Sequence, residues 1–194
     1  MVFQARNYTV EEFDQFVDLP INVDKLFEFI GGEIIEVPSN PYSSKIAATL
    51  LIEIGIYLKK NNLGHLTGEA GGYMVSGERY APDVAFISFA KQKKLARTGY
   101  NPNPPDLAVE VVSPTDSEKK LSIKVSNYLA DQTTVVVIYP DEQEIAIHKP
   151  GERVIVLGIE GMLTVDRKSV LWSFCHSEML KCILHMKFEY QSIR

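Results

Sequence analysis

Cysteine is scarce in this sequence of 194 residues, which contains only Cys175 and Cys182. Two cysteines cannot form the disulfide framework of a small secreted domain, so we expect a protein of the reducing cytoplasm. The longest apolar run, residues 46–58, contains Glu53 and is too short to span a bilayer. The sequence also lacks the basic start and apolar segment of a signal peptide. We therefore expect neither membrane insertion nor secretion.

An excess of positive charge is missing as well, because 20 lysines and arginines face 25 aspartates and glutamates, for a net charge of -5. Proteins that coat duplex DNA normally carry a basic excess that neutralises phosphates, so this class is disfavoured. An enzyme that contacts DNA briefly is still compatible, since acidic metal ligands lower the net charge without removing a local basic face. Two short basic runs, 91–97 and 119–124, are more typical of a solvated loop and a solvated helix face.

Common catalytic and cofactor motifs are absent from the sequence. It has no Walker-type phosphate loop, no G-x-S-x-G elbow, no H-E-x-x-H motif and no paired C-x-x-C. The glycines of 68–72 lack the spacing and the following helix of a dinucleotide-binding loop, and they predict a turn. Cys175, His176, Cys182 and His185 fit no common closed zinc site. An apolar helix with incidental cysteine and histidine explains these four residues better.

What is present predicts one globular domain. Apolar residues make up 45% of the chain and charged residues 23%, which is close to the average for folded proteins. The segment 9–12 has the Thr-x-x-Glu pattern of a capping box and predicts a short N-terminal helix. The pair 31–32, Gly-Gly, predicts a β-hairpin. Apolar residues at helical spacing over 46–58 predict a long helix, with Ser43 or Ser44 as its N-cap.

The remaining patterns predict further strands and one more helix. The helix covers 117–130, and the residues before and after it have the short apolar runs of a sheet. This order of elements predicts an α/β or α+β sheet with helices on its faces. The strands are predicted at 26–30, 33–37, 81–89, 106–113, 135–139 and 144–148, with an irregular strand at 66–75.

Three charged residues occupy positions where apolar residues are expected. Glu110 lies in the middle of Leu-Ala-Val-Glu-Val-Val, where both faces of the strand are apolar. Lys124 follows the apolar stripe of the helix 117–130, and Asp83 follows a proline at the start of a strand. A buried charge without a partner is costly, so such residues generally have an opposite charge or a donor beside them. The alternatives are a snorkelling lysine and an ordinary turn aspartate.

The order of these elements allows the three side chains to meet. The strand with Glu110 runs directly into the helix with Lys124, which is expected to fold back over the sheet. Asp83, on a neighbouring strand, could then reach the same point. Two carboxylates and an amine are suited to hold one Mg²⁺ and a water beside a phosphate.

These residues also carry a resemblance to a known family. Pro-Asp at 82–83 followed by Glu110 resembles the PD-(D/E)XK nuclease superfamily. The wider pattern is similar to the Uma2 family of restriction-endonuclease-like proteins over about residues 8–160. The segments that carry this similarity are 27–33, 80–85 and 105–114, together with Lys124 and Tyr128.

The resemblance implies a mixed central β-sheet flanked by helices, after an N-terminal helix and hairpin, and Mg²⁺-dependent hydrolysis of DNA, with Mn²⁺ as an alternative ion. Asp83 and Glu110 would be metal ligands, with the backbone carbonyl of Val111 as a further ligand. Lys124 would orient or deprotonate the attacking water and stabilise charge on the phosphate. Glu33 is a weaker candidate for an additional acidic contact. Enzymes of this kind commonly cut two strands as homodimers, so we expect a homodimer acting on DNA.

The sequence departs from the family pattern in three places. The superfamily lysine stands two residues after the glutamate, where this chain has Val112. Many relatives have a histidine at the start of the long helix, where this chain has Ser43 and Ser44. The resemblance also fades towards the end, so we assign residues 1–165 to the nuclease-like domain and 166–194 to a tail with some helix.

These departures leave other functions open. A nuclease-like scaffold that binds nucleic acid or a protein without cutting is one alternative. An oligomeric structural protein that uses its C-terminal helix is another.

Overall fold

The computed structural model describes residues 7–37 and 40–158. The tail 166–194, its Cys and His residues and the end of the assigned domain lie outside these ranges. Among the described residues, no helix is long and apolar enough to cross a membrane. The helices are α1 (Val10–Val17), α2 (Pro41–Asn61) and α3 (Glu118–Ala130), and the strands are β1 (Phe27–Ile30), β2 (Glu33–Glu36), β3 (Gly64–Gly68), β4 (Tyr73–Val75), β5 (Glu78–Tyr80), β6 (Val84–Ser88), β7 (Leu107–Val111), β8 (Thr134–Tyr139), β9 (Glu144–His148) and β10 (Ile155–Leu157).

The described strands form two sheets. A six-stranded sheet has the order β10-β9-β8-β7-β6-β3, and a four-stranded sheet has the order β2-β1-β5-β4. The pair β7 and β8 is parallel and connected through α3, whereas the other pairs are antiparallel. The larger sheet is therefore mixed. This confirms the predicted mixed α/β architecture with a preceding helix and hairpin.

The two faces of the six-stranded sheet pack against different elements. One face packs against α2 through a cluster that contains Leu50, Ile54 and Val109. The other face packs with α3 and the smaller sheet through a cluster that contains Ala108 and Tyr128. Because side chains alternate along a strand, residue 110 lies on the α3 face together with residue 108. The fold thus directs Glu110 towards the helix that carries Lys124.

Local sequence signals account for several element boundaries. The Thr9 hydroxyl accepts a hydrogen bond from the Glu12 N–H, and the Glu12 carboxylate accepts one from the Thr9 N–H, which forms the predicted capping box. Gly31 and Gly32 have φ values of 58° and 83°, which fit a two-residue hairpin turn. The predicted N-cap of α2 was wrong. The cap is Asn40, whose side chain accepts hydrogen bonds from the N–H groups at 42 and 43, with proline at the first helical position.

Two strand predictions also need correction. The segment 66–75 is not one irregular strand, because its ends form β3 and β4 in different sheets, separated by a turn that contains Gly71. The strand predicted from residue 81 begins at Val84, since Pro82 has no N–H to donate to a ladder. The short strands β5 and β10 were not predicted, and each has three residues, too few to show a period.

Candidate active site

A buried ion cluster lies where β7, α3 and β1 meet. The Lys124 Nζ lies 2.7 Å from Glu110 Oε2 and 2.8 Å from Glu28 Oε1. Only 7% of Lys124 and 8% of each glutamate are exposed to solvent. The lysine therefore neutralises two carboxylates from two different sheets, as a buried cation requires.

Asp83 joins this cluster through the backbone of β7. Its Oδ2 accepts a hydrogen bond of 2.6 Å from the Val111 N–H. Glu28 makes a similar contact, because its Oε1 accepts a 2.7 Å hydrogen bond from the Ala81 N–H. These two bonds fix the segment that precedes β6 between β7 and β1. The three predicted residues, Asp83, Glu110 and Lys124, are thereby brought to one place.

Two tyrosines form the wall behind the cluster. The Tyr128 hydroxyl donates a 3.2 Å hydrogen bond to Glu110 Oε1. The ring of Tyr80 lies 5.6 Å from the Lys124 Nζ, and its hydroxyl donates to Glu78 and accepts from Asn127. The orientation of Lys124 and Glu110 is thus supported by side chains that are themselves hydrogen-bonded.

The cluster lies in a cavity of about 210 Å³. The cavity is also lined by the start of α2, the first turns of α3 and the end of β7. Its charged lining is mainly acidic, so an anion entering it would meet a negative field. The carboxylates in the lining are Glu28, Glu69, Asp83, Glu110 and Asp116, and the lysines are Lys120 and Lys124.

Burial disturbs the protonation of the carboxylates. Burial raises the pKa of Asp83 to about 6, although the Val111 N–H and the charge of Lys124 act in the opposite direction. Burial also raises the pKa of Glu110, with opposition from Lys124 and reinforcement from Glu28 and Asp83. For Lys124, burial would lower the pKa, but the two adjacent glutamates outweigh it and the net pKa is raised. The adjacent glutamates therefore favour the ammonium form of Lys124 in this site.

The position of Glu33 separates it from the cluster. Glu33 is exposed on β2, and its carboxylate lies 2.9 Å from the Nζ of Lys120. The hairpin instead contributes Glu28, which lies within the family-like segment 27–33 but had no predicted role. The signal for Glu28 was ambiguous, because a charge between Phe27 and Phe29 also fits a strand with one exposed face.

The basic run 91–97 lies away from the site. This run follows the C-terminal end of β6, whereas Asp83 precedes the N-terminal end of the same strand. Since β6 and β7 are antiparallel, residue 83 and residue 111 share one end of the sheet and the basic loop lies at the other. Lysine near the cavity comes from α3, through Lys120 and Lys124.

The donor set of the cavity fits a small, hard divalent cation. Asp83 Oδ1 accepts no hydrogen bond within the described part of the chain, while Oδ2 is held by Val111. No three Asp, Glu, His or Cys side chains of residues 7–37 and 40–158 are arranged to hold a metal. Mg²⁺ is commonly held by one or two carboxylates and several waters, so Asp83 and Glu110 are sufficient in number. A cation here would also reduce the acidic excess of the lining.

Comparisons with known proteins give a family and a shared fold. The family model Uma2, described as "Putative restriction endonuclease", matches residues 13–167. A crystal structure from Anabaena variabilis, described as a "putative nuclease belonging to DUF820", superimposes with a TM-score of 0.63 at 23% sequence identity. The match covers 74% of this chain and 82% of that chain, which supports a shared fold. No functionally curated protein matches the sequence.

Proposed function

Because the chain belongs to the Uma2 family, we propose that it is an endonuclease that hydrolyses DNA phosphodiester bonds with Mg²⁺, or with Mn²⁺ in its place. One observation carries this proposal. Lys124, supplied by α3, contacts Glu110 in the cavity that Asp83 and Val111 also line. Two carboxylates and a backbone carbonyl are suited to hold a divalent metal, and an ammonium group beside them is suited to stabilise charge on a phosphate.

Asp83 and Glu110 would hold the metal, with the carbonyl oxygen of Val111 as a further ligand. The ion supplies Lewis acidity and lowers the pKa of a bound water. The Val111 N–H orients Asp83, and the Tyr128 hydroxyl orients Glu110, so both carboxylates are preorganised. Glu110 and Val111 are the last two residues of β7, so the Glu110 side chain and the 111 carbonyl lie at the same end of the strand.

Lys124 would orient the attacking water and stabilise negative charge that develops on the phosphate. Its ammonium group has hydrogen-bond donors but no acceptor, so proton abstraction belongs to another group. Two glutamates keep it charged, and the Tyr80 ring limits its movement. A preorganised cation in a partly closed cavity is worth more to a transition state than one in water.

Glu33 is proposed to act only at the rim. It pairs with Lys120, which lines the cavity, and so sets the position of that lysine. We further propose that two copies of the chain act together on duplex DNA, because one copy carries one such cluster among its described residues. Sedimentation or light scattering, with and without duplex, measures this association.

A second candidate is a nuclease fold that binds nucleic acid or a protein partner without cutting. The closed ion pair between Lys124 and Glu110 favours it, because the pair neutralises a proposed metal ligand in the absence of metal. Mg²⁺ affinity separates the two candidates. An enzyme binds the ion at millimolar concentration, whereas a scaffold with a self-neutralised cluster does not.

The decisive experiment is cleavage of a supercoiled plasmid and a labelled duplex with Mg²⁺. We expect cutting by the wild type and a loss of at least 100-fold in Asp83→Asn and Glu110→Gln. Asp141→Asn and Glu142→Gln are matched controls on the exposed β8–β9 turn. Equal cutting by all five proteins would contradict the site, and no cutting by any of them, with folding intact, would contradict the activity.

A further inference from the structure

A buried hydroxyl without a partner lies in the wall of the cavity. Ser43, in the first turn of α2, is 7% exposed. Its Oγ has no hydrogen-bond partner, a condition met by no other buried side-chain nitrogen or oxygen in the described residues. An unsatisfied buried hydroxyl costs about 1–3 kcal/mol, so a fold generally retains one only where something else satisfies it.

The hydroxyl of Ser43 takes no part in capping α2 and could therefore contact a ligand. The Asn40 side chain accepts the N–H groups of 42 and 43, and the Asn40 carbonyl accepts the Ser44 N–H. The Asn40 cap therefore accepts the first N–H groups of the helix, and the Ser43 hydroxyl is not required as an acceptor. Ser43 Oγ remains a donor that faces no acceptor of the protein.

The lining at the start of α2 differs from the acidic lining of the cavity as a whole, and this difference selects the kind of ligand. The first turn of α2 contains no acidic residue, so the positive end of this 21-residue helix is not compensated by its own side chains. Asn40, Ser43 and Ser44 all line the cavity, and Lys120 lines it as well. The hydroxyl donors, the positive end of the helix dipole and an ammonium group together favour the oxygens of a phosphate.

We propose that Ser43, with Ser44 and Lys120, forms a phosphate subsite beside the metal-ligand carboxylates, which binds a neighbouring phosphate of the substrate strand. This rests on the proposed function in one respect only, namely that the phosphate belongs to DNA. The subsite separates two tasks within one cavity. Asp83 and Glu110 act at the scissile phosphate, and the start of α2 holds the next phosphate, which fixes the register of the strand.

The first test uses inorganic phosphate and follows backbone amide signals by NMR. Phosphate at millimolar concentration is expected to shift the signals of residues 43 and 44 in the wild type and in Asp83→Asn. In Ser43→Ala the affinity is expected to fall by about tenfold, the usual effect of losing a hydrogen bond to a charged group. Ser126→Ala, on an exposed position of α3, is the control and should bind as the wild type does.

The second test measures binding of a short duplex by fluorescence anisotropy, with Ca²⁺ in place of Mg²⁺. Ser43→Ala is expected to weaken binding by about tenfold. Its thermal stability should be unchanged or higher, because the variant removes an unsatisfied group; a structural serine would lower it. Phosphate that leaves the signals of 43 and 44 unmoved would overturn the subsite even if the duplex is cut. Phosphate binding without any binding or cutting of DNA would overturn the proposed function and leave the subsite standing.

Discussion

The Nζ of Lys124 lies 2.7 Å from Oε2 of Glu110, although the two residues stand 14 positions apart on a helix and a strand. In the superfamily pattern the amine stands two residues after the glutamate on the same strand face, a place that Val112 occupies here. Val112 packs with the cluster on the α3 face. The helix α3 therefore places the amine of Lys124 over the same face of the sheet on which a lysine at position 112 would lie.

Replacing Lys124 by methionine is expected to destabilise the fold. The variant leaves two buried glutamates without their cation, which typically costs about 3–5 kcal/mol. Urea denaturation at pH 7.5 measures this loss. Lys120→Met is the matched control, since its pair with Glu33 is partly exposed and is worth about 1 kcal/mol or less. Similar losses of stability in both variants would mean that the buried cluster stabilises the fold no more than the partly exposed ion pair does.

The second prediction concerns two of the three glutamates in the hairpin, Glu28 and Glu33, whose substitutions are expected to affect cleavage differently. Glu28→Gln removes one of the two charges that hold Lys124, so cleavage should fall at least tenfold while the neutral amide still accepts the Ala81 N–H. Glu33→Gln should stay within about threefold of the wild type, because it alters only a rim ion pair. Initial cleavage rates at saturating Mg²⁺ distinguish the two. A larger loss of cleavage in Glu33→Gln than in Glu28→Gln would mean that the acidic residue important for cleavage is Glu33 at the rim of the cavity.

A residue of this site can be predicted from the sequence when it breaks the pattern of its own strand or helix, and it cannot when its burial depends on distant segments. Glu110 was visible because a charge inside an apolar strand violates the pattern of its own segment, and Lys124 because it violates the stripe of its own helix. Glu28 obeys the alternation of its strand, and its burial comes from α3 and β7, which are distant in sequence. The N-cap at Asn40 was missed because Ser43 and Ser44 are equally good caps by type, and Pro41 decides the position.

The division into two sheets illustrates a similar limit. The hairpin β1–β2 follows from Gly31 and Gly32, since the turn itself requires positive φ at both positions. The pairing of β1 with β5 rests on contacts between residues 50 positions apart, such as Phe29 with Arg79. No local pattern over three-residue strands encodes such a pairing.

Mg²⁺ should stabilise the folded protein through its proposed ligands. At a concentration ten times the dissociation constant, a bound ion adds about 1.4 kcal/mol, which raises the melting temperature by roughly 3–6 °C for a domain of this size. Differential scanning fluorimetry with and without Mg²⁺ detects the shift. Asp141→Asn should retain it and Asp83→Asn should lose it. An equal shift in both variants would place the ion elsewhere.

Asp83→Asn should be more stable than the wild type at neutral pH in the absence of metal. Burial raises the pKa of Asp83 from about 3.8 to about 6, so between these values the folded state binds more protons than the unfolded state. The stability of the wild type therefore falls as pH rises from 4 to 6 and stays low above that. Asparagine can still accept the Val111 N–H and carries no charge, so it removes this loss.

The expected gain from this substitution is on the order of 1–3 kcal/mol at pH 7.5, and it should vanish below about pH 3, where the wild-type carboxyl is protonated in both states. Urea unfolding in EDTA at a series of pH values measures the difference, with Asp141→Asn as the control. A gain that grows towards acid pH would mean that Asp83 is stabilised in its ionised form by the fold. Adding Mg²⁺ at pH 7.5 should remove the advantage of Asp83→Asn once the ion reaches about 100 times its dissociation constant, because binding then adds about 2.7 kcal/mol to the wild type alone. A carboxylate that weakens the empty protein and strengthens the loaded one is expected at a metal site rather than in a structural ion pair.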